Sequence, residues 1–179
     1  MSVGLFGGTF DPPHNGHVAL VEAAEGAFEF ERLLVLVVAA PGHRRVVAPA
    51  DVRLELTRLA FPDHMVELDE HERTVDLLRG RRFDDPVFLI GADELVDFPN
   101  WKEPEAVLEL ARLGVATRPG YAVAAVIGPA ERIESFEIEP HPESSTEIRR
   151  LVAAGASIEG LVPEAVAREI ERLGLYRGG

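Results

Sequence analysis

Short apolar runs that alternate with longer segments of helical periodicity constrain the fold of this chain most strongly. Val3–Phe6, Arg32–Ala39 and Pro86–Ile90 consist almost entirely of apolar residues, as expected of strands buried on both faces of a parallel sheet. Between them, His14–Ala27 and Ala50–Phe61 place apolar residues at roughly helical spacing. Strands that alternate with helices predict an α/β fold, here a Rossmann-like, doubly wound, mostly parallel sheet flanked by helices.

The remaining elements are predicted from the same patterns. Asp51 is expected to cap the helix that begins at Ala50. The pattern of Tyr121–Ala130 does not distinguish a helix from a strand. The chain has no internal repeat, low-complexity segment or linker, so we expect one domain over residues 1–179, with a C-terminal helical part at about 144–176. Further strands are predicted at Met65–Leu68, Arg112–Thr117 and, as an edge strand, Ile133–Ile138; further helices are predicted at Thr74–Arg79, Glu103–Ala111, Ser145–Ala154 and Pro163–Leu173.

The composition argues against several classes of function. The 179 residues include no cysteine, which excludes disulfides, thiolate catalysis and cysteine-based zinc sites. A net charge of −13 argues against binding to nucleic acid or to an anionic membrane. No apolar run reaches the roughly 18–20 residues that span a bilayer, and the start lacks the basic segment of a signal peptide. We therefore expect a cytoplasmic protein, either monomeric or homo-oligomeric, with no membrane or nucleic-acid partner.

A glycine-rich turn with two histidines follows the first predicted strand. Gly7 and Gly8 let backbone N–H groups approach phosphates, and the start of the next helix adds partial positive charge. His14 and His17 are one helical turn apart, so both can face one ligand. The alternative is a Gly/Pro turn, capped by Asn15 or Asp11, with solvated histidines.

A second segment, Ser144–Arg149, has a similar character far along the chain. A serine cap leaves hydroxyl and N–H groups directed at an anion, and Arg149 adds a guanidinium that can bind phosphate oxygens in a bidentate manner. Taken alone, this segment could equally be a helix start with a solvated arginine. Four candidate loops each follow a predicted strand, which places them on one rim of the sheet: Gly7–His17, Pro41–Arg45, Gly91–Asp93 and Arg118–Gly120.

The first of these segments, GGTFDPPHNGH, resembles the HxGH motif of nucleotidylyltransferases in the form found in nicotinate-nucleotide adenylyltransferases. The sequence SSTEIR resembles the ISSTxIR element of the same superfamily, with Glu143 in the place of the leading isoleucine. The stretches GADELVDFPNWKEPEAVLEL, VATRPGY and LVPEAVAREIERLGLY are similar to further parts of the family pattern. The resemblance implies transfer of the adenylyl group of ATP to nicotinate mononucleotide, giving deamido-NAD and pyrophosphate.

The resemblance also implies a role for individual residues. Asp93 would bind a ribose hydroxyl or else cap a short helix, and Trp101 would stack on the pyridine or else lie in the core. Where the family usually has Pro-Ser-Tyr-Thr, only Thr74 is kept, and Arg73 either favours the acidic nicotinate or points into solvent. Residues implied in catalysis are His14, His17 and Arg149; in ATP binding, Gly7, Gly8, Thr9, Phe10, His43, Arg44, Gly91, Asp93, Ser145 and Thr146; and in mononucleotide binding, Thr74, Trp101 and Arg118.

The implied chemistry requires positioning and charge neutralisation rather than a nucleophilic side chain, because the attacking phosphate is already ionised. We expect Mg²⁺ as cofactor, held by the triphosphate and water, with no metal site built from protein ligands alone. The alternatives are an adenylyltransferase for nicotinamide mononucleotide or phosphopantetheine, a cytidylyltransferase, and a catalytically silent nucleotide-binding module. Phosphopantetheine is disfavoured because that family has threonine at the position of His14.

Overall fold

A parallel sheet organises the chain, of which the computed structural model describes residues 1–42, 45–120 and 130–178. Within these residues the strands are β1 (Ser2–Gly8), β2 (Phe30–Val38), β3 (Met65–Asp69), β4 (Pro86–Gly91), β5 (Arg112–Thr117) and β6 (Ile133–Glu137). They form one six-stranded sheet in the order β3-β2-β1-β4-β5-β6, and all five neighbouring pairs are parallel. The predicted fold class is confirmed, and the described sheet is parallel throughout.

Burial on both faces explains why the strand sequences are almost continuously apolar. In β2, Val35 and Val37 belong to the core on one side of the sheet, whereas Leu34 and Leu36 belong to the core on the other side. All four are at most 2% exposed. Because successive side chains of a strand point to opposite faces, a strand covered on both faces requires an apolar residue at every position.

Helices cover both faces of the sheet. In the described residues they are α1 (Asn15–Ala27), α2 (Ala50–Ala60), α3 (Thr74–Gly80), α4 (Ala92–Asp97), α5 (Pro104–Leu110), α6 (Ser145–Ala153) and α7 (Glu164–Leu173). Among these residues, no helix combines the length and the apolar character needed to cross a bilayer.

The predicted bounds of the strands and helices agree with these elements to within about two residues. Two other features of the helices differ from the prediction. The prediction that Asp51 caps α2 is wrong: Pro49 occupies the N-cap position, and Asp51 lies in the first turn, where its charge still favours the helix dipole. The short helix that Asp93 was offered to cap is α4, but its bounds were not predicted, because six residues are too few to establish a helical period. Residues 121–129 of the ambiguous segment lie outside the described part of the chain.

The strand order places a crevice above the carboxyl end of β1. The chain runs outward from β1 through β2 to β3, and then returns to the other side of β1 to continue through β4, β5 and β6. Ligands of doubly wound sheets bind at such a reversal of strand order, beyond the carboxyl ends of the strands. The fold therefore directs attention to the loop between β1 and α1.

Candidate active site

The end of β1 leaves little room for side chains at its two glycines. A Cβ atom on Gly7 would lie 3.1 Å from the Phe88 ring, and one on Gly8 would lie 2.8 Å from the Phe10 ring. Phe10 is 2% exposed and belongs to the core, and it adopts a positive φ of 50°. Its side chain thus anchors the turn, which leaves only its backbone for a ligand.

The two histidines of the first motif stack on each other at the start of α1. Their ring centroids are 3.6 Å apart, and the planes are inclined by 26°. The backbone N–H of His14 donates to Nδ1 of His17 at 3.1 Å. Because Nδ1 of His17 accepts this bond, the neutral imidazole carries its proton on Nε2, which is then a hydrogen-bond donor.

His14 has a different character, because it occupies the N-cap position of α1 and is 9% exposed. Burial lowers the pKa of His14 to about 4, against a smaller opposing effect of Glu143. His14 is therefore neutral at pH 7 and acts as a hydrogen-bonding group rather than a cation. Its Nδ1 atom is buried and has no hydrogen-bond partner among the described residues.

The second motif docks directly on the first. Ser145 at the start of α6 donates its hydroxyl proton to the Pro12 carbonyl at 2.8 Å. Nη1 of Arg149 donates to the Asp11 carbonyl at 2.7 Å, and Nη2 lies 3.4 Å from Oγ1 of Thr146. The imidazoles near the start of the chain and the guanidinium of α6 are therefore brought to one place.

A buried arginine that the sequence reasoning missed connects the loops around this place. Arg53 of α2 is fully buried and donates through Nη1 to the carbonyls of Thr9 and Val38, at 2.7 and 2.8 Å. Its other nitrogens donate to the carbonyls of Ala39 and Ala48, at 2.8 and 3.1 Å. Burial lowers the pKa of Arg53, and nearby Asp11 opposes that effect. The guanidinium stays charged and joins the segments that follow β1 and β2.

Asp11, which the sequence offered only as a cap of the Gly/Pro turn, is a second buried group that connects distant segments. Its carboxylate accepts the N–H groups of Val47 and Ala48, at 2.6 and 3.1 Å, and the hydroxyl proton of Tyr176 at 2.8 Å. Burial, and then this hydrogen bond, raise the pKa of Tyr176, so the phenol remains a donor. Since the Asp11 carbonyl also accepts from Arg149, one residue holds the β1–α1 loop, the segment before α2, helix α6 and the C-terminal part together.

Two clefts open beside the β1–α1 loop. The first cleft, about 940 Å³, is lined by His14, His17, Arg149 and the other described residues implied in ATP binding. The second cleft, about 480 Å³, is lined by Thr74 and Trp101 among others. The two clefts share five lining residues, which form the floor between them: Gly7, Gly8, Thr9, Asp93 and Glu94.

The other predicted site residues fall as follows. Arg118 lines the first cleft, whereas Thr74 and Trp101, the other residues implied in mononucleotide binding, line the second. Trp101 contacts the rings of Phe88 and Phe98, with centroids 6.2 and 5.3 Å away, so it joins the edge of the core to the wall of the second cleft. His43 and Arg44 lie outside the described residues.

Asp93 lies in the first turn of α4 but does not cap it. Gly91 occupies the N-cap position, and the carboxylate that accepts the Gly91 N–H, at 3.0 Å, is that of Glu94. The expectation that Asp93 caps this helix is therefore wrong. Its carboxylate lies instead at the boundary between the two clefts.

Comparison with known proteins is consistent with this architecture. Residues 5–151 match the cytidylyltransferase-like family. A protein of Thermus thermophilus named "probable nicotinate-nucleotide adenylyltransferase" is 41% identical over 99% of this chain and its own full length. The chain belongs to the nicotinate-nucleotide adenylyltransferase family. A protein of the same name from Thermomicrobium roseum is 38% identical over 98% of this chain and 91% of its own.

Solved structures share the fold of this family member at lower sequence identity. Nicotinic acid mononucleotide adenylyltransferase of Plasmodium falciparum, complexed with NaAD, superposes with a TM-score of 0.80 at 16% identity. The superposition covers 98% of this chain and 97% of the other. The likeness extends over nearly the whole of both chains, so the two proteins share one fold.

Proposed function

We propose that this chain transfers the adenylyl group of ATP to nicotinate mononucleotide, with ATP in the first cleft and the mononucleotide in the second. The observation that carries the proposal is that the two clefts share Gly7, Gly8 and Thr9 among their lining residues. A phosphate from each side can approach the other over this floor without obstruction by a side chain. Membership of the adenylyltransferase family supports the same reaction.

The side chains at the first cleft fit the charge that develops during an in-line displacement. The 5′-phosphate of the mononucleotide attacks the α-phosphorus of ATP, the bond to the bridging oxygen breaks, and pyrophosphate leaves. The attacking phosphate is ionised at neutral pH, so no general base is needed. Nε2 of His17 donates toward the reacting phosphate, while neutral His14 contributes a hydrogen bond without adding charge.

Arg149 is suited to bind the leaving pyrophosphate. Its two contacts with the Asp11 carbonyl and Thr146 fix the guanidinium in place, and the group has more N–H donors than these contacts use. A donor held before the substrate arrives loses little entropy on binding. Ser145 donates its hydroxyl proton to the Pro12 carbonyl, which fixes the start of α6 against the β1–α1 loop.

The second cleft has features suited to a pyridine nucleotide. Trp101 is held from two sides by Phe88 and Phe98, so it offers a fixed aromatic surface to a ring. Arg73 and Thr74 line the same cleft, and the positive charge of Arg73 favours the carboxylate of nicotinate over the neutral amide of nicotinamide.

Magnesium would enter with the triphosphate. In the described residues, no group of three or more His, Asp or Glu side chains is placed to hold a metal ion. A Mg²⁺ ion that keeps several waters and binds phosphate oxygens does not need such a group. The chain's own residues then bind and orient the polyanion around it.

Turnover on alternative acceptors tests the proposal. Pyrophosphate release from ATP is measured with nicotinate mononucleotide, nicotinamide mononucleotide or phosphopantetheine at equal concentrations, and we expect the first acceptor to give the highest kcat/KM. The His17→Ala variant, assayed in parallel, shows that release arises at this site. ATP binding without turnover on any acceptor would instead indicate a silent nucleotide-binding module. Faster turnover with phosphopantetheine would assign a phosphopantetheine adenylyltransferase activity instead.

A further inference from the structure

Glu143, which stands in the place of the leading isoleucine of the family motif, pairs with a histidine. Glu143 precedes α6, and its side chain is only 9% exposed although it carries a carboxylate. Its oxygens lie 3.2 and 3.5 Å from Nδ1 of His141, two residues earlier. A carboxylate can only accept a hydrogen bond, so Nδ1 of His141 carries a proton directed at Glu143.

The pair is oriented with respect to the first cleft. His141 is among the lining residues of that cleft, together with His14, His17 and Gly16, whereas Glu143 is not. His141 packs close to the start of α1, since a Cβ atom on Gly16 would lie 3.1 Å from both Cβ of His141 and Nδ1 of His14. The histidine of the pair therefore borders the cleft beside His14, whereas the glutamate does not line it.

The arrangement leaves one ring nitrogen of His141 for a ligand of the cleft. Because Nδ1 is directed at Glu143, Nε2 is the nitrogen that remains to contact a phosphate oxygen. It donates to that oxygen when the imidazole carries both protons. A charged imidazole would also offset the repulsion that a carboxylate exerts on a polyphosphate nearby.

We propose that His141 is a further phosphate-binding residue for ATP and that Glu143 is the residue that positions it. The inference rests on the proposed function only in that ATP is the ligand of the first cleft. It assigns to this chain a third imidazole at the cleft, contributed by the segment between β6 and α6.

The test is a comparison of ligands that differ in their phosphates. Dissociation constants for ATP and adenosine are measured by calorimetry in buffer containing magnesium chloride, for the wild type and for His141→Gln. The amide preserves a polar side chain and removes the imidazole. We expect ATP to bind about tenfold more weakly to the variant, as for loss of a charge-assisted hydrogen bond, with adenosine affinity unchanged.

His64→Gln is the matched control, because His64 also pairs with a glutamate, Glu25 at 3.1 Å, and lines neither cleft. Its ATP affinity should equal that of the wild type. Glu143→Gln should weaken ATP binding in the wild-type background but not in His141→Gln, since the carboxylate acts through the imidazole. Thermal denaturation of each variant establishes that it is folded.

Three results would overturn the inference: unchanged ATP affinity in His141→Gln, an equal loss of adenosine affinity, or additive effects of the two substitutions. The outcome is separable from that of the proposed function because binding does not require turnover. If the wild type binds ATP and His141→Gln loses that affinity, while neither turns over any acceptor, the inference holds and the proposed reaction fails. A wild type that does not bind ATP refutes both.

Discussion

Replacement of Arg53 by methionine should lower the free energy of unfolding by about 4 kcal/mol. Methionine fills a similar space with an apolar chain but donates no hydrogen bond. The guanidinium makes four hydrogen bonds to backbone carbonyls, those of Thr9, Val38, Ala39 and Ala48. At about 1 kcal/mol for each lost bond, the total is about 4 kcal/mol. The neighbouring Asp11 carboxylate also loses the positive charge that compensates it.

The assay is equilibrium denaturation in guanidinium chloride, with thermal unfolding as a second measurement. For a domain of this size, about 4 kcal/mol corresponds to a fall in Tm of roughly 8–16 °C. Arg58→Met is the matched control: Arg58 lies on the same helix, its side chain is 52% exposed, and its partner Glu55 is also exposed. The control should change stability by less than about 0.5 kcal/mol. If Arg53→Met costs no more than the control, the buried guanidinium does not hold the loops together.

Three further predictions concern the histidines and the tryptophan. His17→Ala should lower kcat by about 100-fold, as for loss of one preorganised donor, and steady-state kinetics that leave kcat nearly unchanged would make the residue structural. Trp101→Ala should raise KM for nicotinate mononucleotide more than KM for ATP, whereas equal increases would place the ring in the core alone. His14 has a pKa of about 4 in the folded protein, below the 6.5 expected when unfolded, so the unfolded chain takes up its proton first as pH falls. The wild type should therefore lose up to about 3 kcal/mol more stability than His14→Gln between pH 7 and pH 4, and parallel denaturation curves for the two would contradict the burial argument.

The strands were predictable because burial on both faces requires a continuous run of apolar residues, which is visible in the local sequence. Where prediction and structure differ at β1, the strand is longer than its apolar run, since Gly7 and Gly8 still pair with Leu36 and Val37 of β2. Backbone pairing continues past the last large side chain, and glycine gives no sign of it. The ends of the strands, which carry the site, were thus less predictable than their centres.

The apolar residues of α2 mark its buried face only in part. Leu56 is buried and Val52 and Leu54 pack against the core, but Leu59 is exposed, and the other buried positions are Arg53, Thr57 and Ala60. The four buried positions have the i, i+3, i+4, i+7 spacing of one helical face. The signal was therefore present, but it was obscured because an arginine occupied a core position. A charged residue in register with such a face indicates buried carbonyls that need a donor.

Asp11 shows which part of the site no local pattern can encode. Its partners Val47, Ala48 and Tyr176 lie 36, 37 and 165 residues away in the chain. The motif around Asp11 predicts a phosphate-binding turn, but the orientation of that turn depends on hydrogen bonds from segments distant in the chain. Because the Asp11 carbonyl also receives Arg149, a change at any of these contacts shifts the guanidinium relative to His17. The geometry required for in-line transfer is therefore a property of the assembled fold and not of either motif alone.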